Sequence, residues 1–192
     1  VVISPVTRDP EDGIFLSDYR FFETPLGRIK TDTESTEALL KRGGRFVKDN
    51  FPFMEEHSIE VQLPFIQHLF PDAMLLPVHV GRQNSGTIRQ LIKGLRELFG
   101  KREDILYVAS GNISGYLPEK GAREQAEAFK ELVLENSYEK ITDQLLTRNI
   151  LPSCTGCMAA VMAMCGNRNI SIAAENNSGD DKRVYYAAAV LN

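Results

Sequence analysis

A chain of 192 residues is long enough for one domain whose core needs neither disulfides nor a structural metal, and 43% hydrophobic with 25% charged residues argues against a disordered or membrane protein. Lys and Arg number 22 against 26 Asp and Glu, a formal charge of −4, so no basic field draws in a phosphate backbone and nucleic acid is not an expected partner. The most apolar stretch, Met158–Cys165, falls far short of the roughly 20 residues that span a bilayer. The first residues lack the basic start and cleavage site of a signal peptide, so a soluble, cytoplasmic protein is expected.

The chain opens on Val1-Val2-Ile3, an apolar β-branched run that reads as the middle of a fold, so a fragment or processed product is expected. Val1–Pro5 is predicted as a buried strand, and Tyr19–Glu23 as another ending at the turn Thr24-Pro25-Leu26-Gly27. Asp32–Leu40 reads as a helix, with Thr33 at its start and Gly43-Gly44 as its stop. From His57 to Phe70 the apolar residues Ile59, Leu63, Ile66 and Leu69/Phe70 recur at helical spacing, and Pro64 predicts a kink.

Ala73–Val80 and Ile105–Ala109 are near-continuous apolar runs, hence buried strands, and the amphipathic stretch Thr87–Phe99 between them makes a strand–helix–strand unit with parallel neighbours. Helices are expected over Pro118–Asn136, Tyr138–Arg148 and Cys154–Cys165. Strands over Ile170–Ala174 and Val184–Val190 close the chain around the polar turn Asn176–Lys182. Alternating buried strands and helices indicate an α/β fold with a mostly parallel central sheet flanked by helices.

Several polar clusters could carry chemistry. Glu55-Glu56-His57-Ser58-Ile59-Glu60 precedes an apolar helical run; it fits a capped helix start, and equally a proton-transfer histidine or metal ligand flanked by carboxylates. Cys154-Thr155-Gly156-Cys157 is a C-x-x-C pair, open to thiol redox chemistry, metal binding or tight packing of small residues. A zinc site wants four ligands, and no second pair at ligand spacing exists. The three cysteines, Cys154, Cys157 and Cys165, lie so close together that no bridge between them could join distant parts of the fold.

Ser110-Gly111-Asn112-Ile113-Ser114-Gly115 follows a buried strand, where sites of α/β proteins gather, but it matches neither a P-loop nor a nucleophile elbow. Asn176–Asp181 lacks EF-hand spacing and reads as a solvated turn. His68 and His79 stand alone and read as core or surface residues.

Together these segments resemble the Memo family, also called AmmeMemoRadiSam system protein B, whose fold is that of class III extradiol, LigB-type, dioxygenases. Glu56-His57-Ser58-Ile59-Glu60-Val61-Gln62-Leu63-Pro64 is nearly the family's E-H-S-I-E-x-x-L-P. Pro77-Val78-His79-Val80-Gly81 is similar to its P-V-x-V-G, Phe22–Gly27 to its substrate-side strand and turn, and Tyr186-Ala187-Ala188 to its closing strand. The pieces keep family order across residues 1–192, a single Memo-like domain lacking the family's N-terminal segment.

The departures shape the functional expectation. The resemblance implies a metal-ligand histidine in a P-H-A-G-Y segment, which has no counterpart here. A second ligand is implied in G-P-S-H-H, where Ser4-Pro5-Val6-Thr7-Arg8 places Thr7. The family's S-S-D-F-x-H loop maps onto Ala109–Ser114, so its Asp is Gly111 and its His is Ser114. Cys154 matches the metal-proximal cysteine, and His57 and Glu60 match the signature.

Thiolate plus one imidazole falls short of a facial triad. The reading is therefore a divergent Memo-like domain with an eroded metal site and no resident metal, binding a small molecule or protein partner in the former cleft. Catalytic-type groups would be His57, Glu60 and Cys154, with Thr7, Asn112 and Ser114 as ligand-binding positions. The alternative is an iron- or copper-dependent oxidoreductase in which His57 shuttles protons, and a third reading is thiol redox chemistry at Cys154/Cys157.

Overall fold

The computed structural model describes residues 1–145, 152–166, 168–179 and 182–191. In chain order the elements are β1 (Val2–Pro5), β2 (Ile14–Leu16), β3 (Phe21–Thr24), β4 (Gly27–Lys30), α1 (Thr33–Leu40), β5 (Phe46–Lys48), α2 (Phe51–Glu55), α3 (Leu63–Leu69), β6 (Pro77–Val80) and α4 (Ser85–Phe99). They continue with β7 (Val108–Ala109), β8 (Leu117–Pro118), α5 (Glu119–Leu134), α6 (Tyr138–Gln144), α7 (Thr155–Cys165), β9 (Ile170–Asn177), β10 (Lys182–Arg183) and β11 (Tyr185–Leu191). The expected helix over Tyr138–Arg148 is seen as α6, and residues 146–148 lie outside the described residues.

The central sheet runs β5-β2-β6-β1-β7. β1 pairs parallel with β6 and β7, β2 parallel with β5, and β2 antiparallel with β6, so the sheet is mostly parallel and the fold is α/β. Alternation along each strand divides the side chains between two faces. Ile3, Ile14, Leu16, Val78 and Val80 enter the larger core with Leu39 of α1, Ile88, Leu91 and Leu95 of α4 and Ala159, Ala160 and Met162 of α7. Val2 joins the smaller core on the other face with Ile29, Ile59, Leu63 and Leu75. The predicted strand–helix–strand unit is therefore present as β6–α4–β7, with β1 inserted between its two strands.

Several boundaries differ from the expectation, each for a local reason. α1 is capped by Asp32 rather than Thr33, because the Asp32 carboxylate accepts the Ser35 amide at 2.9 Å. The kinked helix over His57–Phe70 is absent: a 3₁₀ turn at Glu60–Gln62 leads into α3, with Pro64 in its first turn. A proline there loses no intrahelical bond, so it starts the helix instead of bending it. The strands β2 and β5 and the short helix α2, of three, three and five residues, are too short to show a period in the sequence.

The two C-terminal strands pair with each other, antiparallel, rather than joining the central sheet. Asn176 and Asn177 belong to β9, which shortens the expected polar turn; Asp180 and Asp181 lie outside the described residues. Lys130 of α5 is buried and ties the helix to β9 through Glu175 at 2.6 Å, with Glu127 at 3.0 Å. Among the described residues no helix is long and apolar enough to cross a membrane.

Candidate functional site

The carboxyl ends of β1 and β7 carry the loops that the sequence marks as reactive, as the topology of an open α/β sheet favours. The residue after β1 stays on the sheet, with the Val6 amide donating to the Val80 carbonyl at 2.8 Å. The chain then turns, and the turn closes on a carboxylate. Glu56 Oε1 accepts from the Thr7 amide at 2.5 Å and from the Arg8 amide at 3.2 Å, while the Thr7 hydroxyl lies 2.9 Å from each carboxylate oxygen. Arg8 reaches Glu55 at 3.6 Å, on the exposed side.

Glu56 therefore does not cap a helix of its own segment. It follows the last turn of α2 in extended conformation, and its side chain holds the segment that follows to the β1 loop. Ser58, two residues on, is hydrogen-bonded to Ser4 of β1 through the two hydroxyls. His57 and Glu60, between and beyond these anchors, are exposed.

The loop after β7 is pinned along its length by hydrogen bonds. The Ser110 amide donates to the Ile3 carbonyl at 2.9 Å, and its hydroxyl accepts from Gln62 at 3.1 Å. Ser114 is buried, and its hydroxyl accepts the Tyr185 amide at 2.8 Å, which secures the start of β11. Asn112 is half-buried between these anchors.

Cys154 precedes α7 and is 2% exposed. The loop meets it at Gly111, where an added Cβ would stand 3.1 Å from the Cys154 Cβ and 3.2 Å from Pro5 Cδ. Burial pushes the Cys154 thiol up to about 12, and burial, with Cys154 nearby, pushes Cys157 well above the ordinary thiol range. Gln83 fixes the first turn of α7, accepting the Gly156 amide at 2.6 Å and donating to the Ser153 carbonyl at 2.6 Å.

The structure thus brings Thr7 to Glu56 and Cys154 to Gly111, and leaves His57 and Glu60 facing solvent. Among the described residues no three His, Cys, Asp or Glu side chains gather as a metal-holding group. A cavity of about 410 Å³ adjoins the Thr7–Glu56 pair, walled by Val6, Arg8, Phe15, Phe51, Glu55 and Glu56. Another, of about 900 Å³, opens at the opposite, amino ends of β1 and β7, away from all of these residues.

Two residues of the site carried little signal in the string. Gln83 is one; the other is His79, fully buried on β6 beside Ser4 of β1 and Phe15 of β2, with the Phe53 ring edge-on at 4.7 Å. Among the described residues neither ring nitrogen meets a partner at full hydrogen-bond geometry, although backbone groups of Ser4 and Pro5 lie close enough to favour the charged form. Burial pushes its pKa down to about 4, although the Glu56 charge pulls the other way, so the imidazole is neutral at pH 7. Its one trace in the sequence is a polar residue inside an otherwise apolar strand.

Fold and site together define an α/β protein with a mostly parallel sheet and its polar constellation at the carboxyl ends of the strands. The family model described as "Memo-like protein" matches residues 1–188, and the chain belongs to that family. A MEMO1 family protein of Thermotoga neapolitana is 30% identical over 160 residues, 83% of this chain and 57% of that protein. One of Methanosarcina barkeri is 32% identical over 182 residues, 88% of this chain and 67% of its own length.

The chain thus spans little more than half of several of the curated relatives it matches, 53% for that of Nitrosopumilus maritimus. Among solved structures, the uncharacterized protein JW3007 of Escherichia coli K12 superposes with a TM-score of 0.58 at 15% identity, covering 98% of this chain and 84% of that one. That likeness shows the fold alone.

Proposed function

We propose that this chain is a Memo-family binding domain that works without a transition-metal centre, taking a small molecule or a protein segment at the carboxyl ends of β1 and β7. The observation that carries this reading is the contact between Thr7 and Glu56. The position where the family resemblance implies a metal-ligand imidazole holds a hydroxyl and an amide, and both are given over to a carboxylate of the same chain. A protonated hydroxyl used as a donor is a poor ligand for iron or copper, which bind imidazole, thiolate and carboxylate.

The rest of the donor set agrees. Cys154 is enclosed against Gly111 and Pro5, and Ser114, at the other implied histidine position, holds the Tyr185 amide. Iron or copper does not fit these groups. What the site offers is a cavity beside the Glu56 clamp, bearing carboxylates, one guanidinium and aromatic walls, with His57 and Glu60 exposed nearby in the chain and Asn112 half-buried on the β7 loop.

Metal analysis of the purified chain tests the reading, together with an NMR binding screen of small molecules and peptides. Iron and copper well below one per chain are expected, with ligand-induced shifts confined to residues 6–15, 49–58 and 110–114. One iron or copper per chain, lost on Cys154→Ala, would sink the proposal and favour the oxidoreductase reading.

A further inference from the structure

The segment that carries the family signature has an outer side as well as an inner one. Ile59, Leu63 and Gln62 point inward, the first two into the smaller core and the third to Ser110. Val61, Phe65 and Leu69, at a spacing of four, form an unbroken apolar row on the outside and are 53%, 67% and 65% exposed. The helix beneath this row is held rigidly: Gln67 accepts from the Thr24 hydroxyl at 2.5 Å and donates to the Gly27 carbonyl at 3.1 Å, which pins α3 to the tip of the β3–β4 hairpin. A preorganised apolar row of this kind on a surface marks a contact face.

The residues beside the row indicate what covers it. Glu60, Pro64 and His68 form the adjacent row, again at a spacing of four, with an acid at one end and an imidazole at the other. Among the described residues neither the Glu60 nor the His68 side chain has a hydrogen-bond or ion-pair partner. Two such helices packed antiparallel about a two-fold axis place equivalent flanks against each other in reverse order. Glu60 then meets His68 of the second copy, His68 meets its Glu60, and Phe65 packs on Phe65 at the axis with Val61 opposite Leu69.

We infer that α3 and the turn before it form a homodimer face, with a second copy of this chain as the occupant. A parallel arrangement would put the two Glu60–His68 rows on opposite sides of the contact and forfeit their pairing. Covering the two rows removes on the order of 500 Å² from each copy, about 1,000 Å² in all, which is at the lower bound for a specific interface. The dimer is accordingly weak and governed by concentration.

Sedimentation velocity of the 192-residue chain over a concentration series tests this, with circular dichroism to confirm that each variant is folded. Reversible dimerisation is expected, weakened at least ten-fold by Phe65→Asp and clearly by Leu69→Gln. Glu60→Lys removes the acceptor and weakens it too, and adding His68→Glu to Glu60→Lys restores it by pairing lysine with glutamate across the axis. A chain that stays monomeric throughout, as it would if some other protein or segment covers the row, overturns the inference. So does a dimer indifferent to both Phe65→Asp and Leu69→Gln. Failure of the paired exchange to restore association overturns the antiparallel arrangement.

Discussion

Gly111 and Cys154 touch so closely that a Cβ on residue 111 would lie 3.1 Å from the Cys154 Cβ, with Pro5 Cδ at 3.2 Å on another side. A side chain on residue 111 would require the loop after β7, Pro5 or the start of α7 to give by a few tenths of an ångström. An aspartate there, as the family resemblance would have it, needs the loop, the proline or the helix to move. Gly111→Asp is expected to lower stability by about 1–3 kcal/mol and Gly111→Ala by less, measured by urea unfolding. Equal stability of all three proteins would show that the contact is not tight.

The clamp on Glu56 predicts a second result. Glu56→Gln keeps the shape but removes the charge that makes two amide bonds and a hydroxyl bond strong. Because Thr7 and Arg8 are exposed, solvent screens part of the effect, and a loss of about 1 kcal/mol is expected. Hydrogen exchange at the Thr7 amide should accelerate in the variant while that of the β1 core amides changes only with global stability. An unchanged Thr7 rate would remove the clamp from the account.

His79 sets a pH dependence with a definite sign. Its folded pKa of about 4 lies below the ordinary 6.5, so between these values the unfolded chain binds a proton that the folded chain does not. Proton uptake by the unfolded chain at this residue therefore costs the fold nothing above pH 6.5 and destabilises it progressively as pH falls toward 4, by about 3 kcal/mol relative to pH 7. His79→Leu removes two buried nitrogens that have no partner at full hydrogen-bond geometry, so it should raise stability at pH 7 by about 1–3 kcal/mol and flatten the acid limb. Denaturant titrations from pH 4 to 8 on both proteins give the comparison.

Thiol labelling separates the binding reading from thiol redox chemistry. Cys154 and Cys157 are buried with raised pKa values, so neither thiolate is available at pH 7. Both should resist a disulfide reagent in the native protein, where half-buried Cys165 reacts slowly, and all three should react at once in denaturant. Rapid native labelling of Cys154, or a Cys154–Cys157 disulfide under mild oxidant, would revive the redox reading.

Hydrophobic periodicity was a reliable guide where elements are long or fully buried. α4, α5 and α7 and the strand β1 are written in runs whose pattern admits few other solutions, whereas of the apolar runs Ala73–Val80 and Ile105–Ala109 only Pro77–Val80 and Val108–Ala109 are strand. Strands of three residues, such as β2 and β5, are too short to show a period, and Pro64 fits a kink and a helix start equally well until the hydrogen bonds are known. The identity of each site residue was likewise plain, but its role was not: Glu56 reads as a cap, and Ser114 as a vacated ligand position.

The amino-acid string by itself determined the α/β class, the family and the absence of histidines at positions 7 and 114, because order, pattern and residue type are local properties. Tertiary structure alone decided that Thr7 spends its donors on a carboxylate 49 positions away, that Gly111 leaves just enough room for Cys154, and that His79 lies buried without a partner at full hydrogen-bond geometry. Those facts depend on distances between segments remote in sequence, and such distances are set by how the two cores pack against the faces of one sheet.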